Sequence, residues 1–207
     1  MLKSLPPVAH VALIALITLA VAGCNKERSY PAYRENPAPK DALPIVIRVH
    51  DAPVDVPVPT ITVLYEIDSL CLPPINNYEG VHYEPKWHSV QLQVERISPT
   101  EFTTTAFKDG MAVADYYGRG PCNWIPNTLE ASFPLTIDGR SIHATVGASF
   151  QEIKEEGGST TYIKKALKPL ISGQIPEQAG TQSQTMFDKL PPADRPKYFR
   201  IEISSMD

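Results

Sequence analysis

The stretch LEASFPLTIDGRSIHATVGASF, residues 129–150, decides the fold. Leu129, Ala131, Phe133, Leu135 and Ile137 alternate with Glu130, Ser132, Pro134 and Thr136. After DGRS the alternation resumes with Ile142, Ala144, Val146, Ala148 and Phe150. A period of two puts one set of side chains on one face of a strand. Asp-Gly between two such runs supplies the backbone freedom of a tight reversal, so the stretch reads as a β-hairpin with one buried face. Burying each large side chain stabilises the fold by roughly 1.5–3 kcal/mol. A slip of one residue would turn the whole apolar set to water. Pro134 points to the other face and predicts an edge position or a bulge.

Working outward, the same grammar recurs. IVIRVH (45–50), TITVLYEI (60–67), VQLQV (90–94), EFTTTAF (101–107) and KYFRIEIS (197–204) read as strands. DAPVDVPVP (51–59) cannot be a central strand, because Pro53, Pro57 and Pro59 lack amide donors; it is a loop or an edge. QEIKEEGGSTTY (151–162) reads as a charged turn, and GQIPEQAGTQSQT (173–185) as a polar loop. Only 161–171 and 184–190 look helical, and the 21 prolines of the 207-residue chain work against longer helices. Short strands separated by turn signals predict an all-β fold, a β-sandwich of antiparallel strands with one or two short helices.

The N-terminus follows a different pattern. Lys3 precedes VALIALITLAVA (11–22), twelve apolar residues that would span about 18 Å as a helix, short of a ~30 Å bilayer core. Residues 1–23 therefore read as a signal peptide rather than a membrane span or a core helix. VAGC (21–24) resembles the bacterial lipobox, which implies cleavage before Cys24 and attachment of a diacylglycerol and an acyl chain there. Two or more chains anchor a protein stably. Asn25, in place of the aspartate that retains such proteins in the inner membrane, implies an outer-membrane, periplasm-facing location. Residues 24–44 read as a lipidated, Pro-rich tether, with an arm packed on the domain through Tyr30 and Tyr33 as the alternative. The single globular domain is expected over 45–207.

Composition bounds the function. The net charge of −4 becomes −5 once residues 1–23 and Lys3 are removed, which does not suit a nucleic-acid partner. No G-x-S-x-G, H-E-x-x-H, P-loop or G-x-G-x-x-G pattern is present; GRSIH (139–143) lacks the second glycine. No catalytic residue, cofactor or metal is expected, and the chain reads as a non-enzyme. His82, Glu84 and His88 in HYEPKWH (82–88) could ligate zinc, but their spacing fits surface histidines better. His143 falls on the polar face of its strand. The acidic run 151–156 could meet a basic partner or be a solvated turn.

Cys71 and Cys122 are left after Cys24 is lipidated. In an oxidising compartment two remaining cysteines pair, and here the bridge would close 51 residues. The alternative makes Cys122 a thiolate nucleophile beside His82 or His88. Cys122 sits in DYYGRGPCNW (115–124), where Gly118 and Gly120 permit positive φ and Trp124 would cover the bridge, with Tyr116 and Tyr117 on opposite faces.

Tyr65 and Cys71, taken with Asp115, Tyr116, Tyr117, Gly118, Gly120, Cys122 and Trp124, resemble a group of small proteobacterial outer-membrane lipoproteins. These are similar to immunity proteins of type VI secretion lipase effectors. The resemblance covers about a third of the mature chain and rests on structural residues. It implies a lipid-anchored periplasmic protein that caps a lipase or phospholipase effector at the membrane. The partner-binding loop is expected in INNYEGVHYEPKW (75–87), through Tyr78, Tyr83 and Trp87, since binding hot spots favour aromatic residues. A structural or assembly lipoprotein of the envelope, and a hydrolase with a dispersed site, are the competing readings.

Overall fold

The computed structural model describes residues 29–137, 139–171, 173 and 176–206. Cys24, Asn25 and the expected signal peptide lie outside the described residues. Ala32–Asp207 forms one compact unit.

Two sheets face each other. The strands are β1 (Ala42–His50), β2 (Thr60–Ile67), β3 (Trp87–Leu92), β4 (Glu95–Ser98), β5 (Glu101–Phe107), β6 (Trp124–Ile137), β7 (Arg140–Ser149), β8 (Ser159–Lys164), β9 (Glu177–Gln178), β10 (Thr181–Ser183) and β11 (Tyr198–Ser205). One sheet has the order β10-β8-β11-β1-β5-β4, the other β3-β2-β6-β7-β9. All pairings are antiparallel except β7 with β9. Among the described residues two short α-helices, α1 (Phe150–Glu155) and α2 (Gln184–Asp188), complete the β-sandwich.

The hairpin at 124–149 pairs Leu129 with Ala148 and Phe133 with Ala144, so the alternating set faces inward and is buried. Phe133 meets Phe102 of the opposite sheet edge-on at 5.7 Å, and Ile45, Ile61 and Ile201 are buried with them. Pro134 sits beyond Ser132, the last β6 residue paired to β2, where β6 is locally an edge. His143 is half-buried on the outer face, its Nδ1 3.1 Å from Ser132 Oγ.

Several segments differ from the sequence reading: 173–185, expected as a polar loop, contains β9 and β10, and the strand expected over 90–94 ends at Leu92 and is followed by β4. Residues 151–155, expected within a charged turn, form α1 together with Phe150, because Ser149 and Glu152 make a reciprocal capping box. The helix expected over 161–171 is not formed: 161–164 lie in β8, which is paired on both sides, to β11 and β10, and 165–171 are bends and loop. The stretch expected as the far end of the tether is partly held: β1 begins at Ala42, Glu35 bridges Met111, and Asn36 N–H donates to Gly110 O at 2.8 Å. Asp109 fixes this arm by accepting the backbone N–H groups of Lys40 (2.9 Å) and Asp41 (3.0 Å).

Candidate binding site at the disulfide-stapled end

β2 ends where β6 begins, with Ile67 opposite Trp124. At this end Asp68 N–H donates to Asn123 O (2.9 Å), and the Asp68 side chain caps the turn 69–71 by accepting Leu70 N–H. The turn places Cys71 and Cys122 with Cα atoms 5.3 Å apart, and they form a disulfide. With its sulfur in the bridge, Cys122 offers no thiolate, which removes the nucleophile reading.

DYYGRGPCNW is a folded corner. Gly118 and Gly120 take φ of +70° and +99°. Asp115 Oδ1 accepts Arg119 N–H at 2.9 Å and Tyr117 N–H at 3.3 Å. These donors, Arg119 first, hold the Asp115 carboxyl below the usual carboxylate range. Tyr116 and Tyr117 do not point to opposite faces as strand alternation would require. Residues 116–120 are bends, and both rings turn toward Tyr33 of the arm.

Tyr33 is the centre of this end. Its ring packs edge-on against Trp124 (4.7 Å), Tyr116 (5.1 Å) and His88 (6.0 Å). Its hydroxyl donates to Pro85 O (2.6 Å) and meets the Tyr117 hydroxyl. Burial first, then the hydrogen bond with Tyr117, pushes its phenol far above the ordinary range. Tyr65, buried in the core, donates to Phe107 O and is pushed up to about 12 by burial and by the charge of Asp109.

The loop between β2 and β3 is thus held at its base and open at its tip. Asn77 closes the tip with two hydrogen bonds to Val81, and Gly80 takes φ +68°. Of the three expected contact residues, Tyr78 is wholly exposed (104%). Trp87 is 43% exposed on the outer sheet face. Tyr83 is only part-exposed and donates to Glu79 Oε2. The structure keeps Tyr78 and Trp87 available and ties Tyr83 to its own loop.

Two further apolar residues belong to this surface. Leu70 is 83% exposed on the turn 69–71, and Ile125 is 62% exposed. Ile125 and Trp87 flank Glu66 in one cross-strand row. Counting by twos from Leu129 would place Ile125 inside. The register shift between Leu64 and Tyr65 adds a residue to β6 there, so Trp124 turns in and Ile125 turns out. The proline at 126 was the only local hint of that bulge.

His82 Nδ1 lies 3.6 Å from Glu84 Oε2, while His88 packs on Tyr33. Among the described residues no group of three or more His, Cys, Asp or Glu is placed to hold a metal ion. Among them, too, no helix is long and apolar enough to cross a membrane. No family model, curated protein or solved structure matches the chain.

Proposed function

We propose that this protein is a lipid-anchored binding protein of the cell envelope, tethered through Cys24 to the outer membrane and facing the periplasm. In this reading it caps and neutralises a membrane-targeting secreted effector of the lipase or phospholipase class, as an immunity protein does. The observation that carries the reading is the stapled end itself. Tyr78, Trp87, Leu70 and Ile125 stand exposed on a framework fixed by the disulfide, the Tyr33 cluster and the sheet. Rigid, preorganised aromatic residues bind with little ordering cost, and such side chains dominate interface energies. The work asked of this surface is complementarity, not bond making.

The test is co-expression in the periplasm with a lipase effector encoded beside the gene. Growth is rescued by the wild-type protein and not by the Tyr78→Ala/Trp87→Ala variant at equal abundance. Loss of one hot spot of about 2 kcal/mol weakens binding roughly 30-fold. Lysis despite wild-type protein at comparable levels contradicts immunity. Full protection by the double variant moves the binding face elsewhere.

A further inference from the structure

The compact unit begins at Ala32, next to Tyr33, whose hydroxyl is bonded to Pro85 just before Trp87. The chain therefore enters the domain at the end that exposes Leu70, Ile75, Tyr78, Val81, Trp87 and Ile125. Cys24 precedes Ala32 by 32 − 24 = 8 residues. Fully extended, eight residues reach at most about 29 Å. β6 alone runs 14 residues away from this end, and at ~3.3 Å per residue it carries the far end roughly 40 Å off. A lipid anchor at Cys24 cannot set the far end, with the Gly139 turn, on the bilayer. It leaves the apolar end within reach of the bilayer.

The chemistry of that end suits a lipid surface. Trp and Tyr carry an apolar ring and a polar edge, and they favour the headgroup boundary. Leu70, Ile75, Val81 and Ile125 add side chains that would otherwise stay in water. Glu66, Asp68, Glu79, Glu84 and Asp115 outnumber Arg34, Lys86 and Arg119 around them, so an anionic lipid surface is not favoured at this end. We propose that the stapled end rests on zwitterionic phospholipid as a second membrane contact beside the acyl chains. The acyl chains give retention, and in the absence of a partner the lipid covers Leu70, Trp87 and Ile125, so an effector that binds there must displace it. The contact rests on the Cys24 anchor of the proposed function and not on the identity of the partner.

The chain has two tryptophans, and Trp124 is buried, so contact with lipid is read at Trp87. The mature protein is placed on phosphatidylcholine vesicles with and without brominated acyl chains, and flotation and tryptophan quenching are measured together. The protein floats with the vesicles, and brominated lipid quenches its fluorescence. Quenching is lost in W87F, which keeps Trp124. It weakens in L70E/I125E, which keeps both tryptophans. Replacing part of the lipid with an anionic phospholipid does not strengthen it. Flotation without quenching of Trp87 overturns the contact, leaves the anchor standing and assigns the surface to a protein partner alone. Quenching untouched by L70E/I125E also overturns it. Absence of flotation overturns the anchor, and the contact with it.

Discussion

Replacing Cys71 and Cys122 together by alanine removes the link between the end of β2 and the start of β6. The bridge closes a separation of 51 residues. The chain-entropy relation then gives about 14 cal/mol/K, or about 4 kcal/mol at 25 °C, for its constraint on the unfolded chain. Little of that is recovered in the folded state, since Asp68–Asn123 and Cys122–Ala114 backbone bonds already hold the same corner. For a domain of this size each kcal/mol moves Tm by about 2–4 °C, so the variant should melt about 8–16 °C lower. The assay is calorimetry of the oxidised protein and the double variant at one pH, with circular dichroism to confirm that the strand signal survives at low temperature. A shift below about 4 °C would refute the reasoning. It would mean that the Tyr33 cluster restrains the corner even in the unfolded ensemble.

Other outcomes follow from single groups. Tyr33→Phe loses the bond to Pro85 and the contact with the Tyr117 hydroxyl, which lowers stability by about 1 kcal/mol in urea unfolding. It also speeds proteolysis within 76–86, since that loop is then freed at its base. Gly158→Ala puts a side chain at φ +118° against Ile203 O. It costs about 2 kcal/mol or more in the same assay. Asp109 has its pKa lowered chiefly by the N–H groups of Lys40 and Asp41. Its contribution is full above the ordinary aspartate pKa of about 4 and is lost as pH falls through the lower folded value. The Tm advantage of wild type over Asp109→Ala therefore holds at neutral pH and shrinks on acidification. An advantage that grows with acid would reverse the assignment.

Local pattern carried much of this fold. β2 and β5 begin and end where their β-branched runs do, because nothing but pairing competes for those residues. The 129–150 hairpin was equally legible, its register enforced by an all-or-none burial of one face. The segment 161–164 misleads because Lys164 and the following Lys-Ala-Leu favour helix, while two neighbouring strands impose the extended form. In α1 the signal was present, Ser149 three residues before Glu152, but too short to outweigh the charges. The site was half visible. Tyr78 and Trp87 stand out as aromatics in a polar loop. Tyr33 is legible only as a possible arm contact, because its partners lie more than fifty residues away, and Ile125 not at all, because it depends on a bulge.

The most direct measurement is intact-mass and peptide-mapping mass spectrometry of the protein purified from the envelope. The account predicts a chain starting at Cys24 that carries diacylglyceryl and acyl mass, together with a Cys71–Cys122 crosslinked peptide. An unacylated amino terminus, or free thiols at both positions, would contradict it.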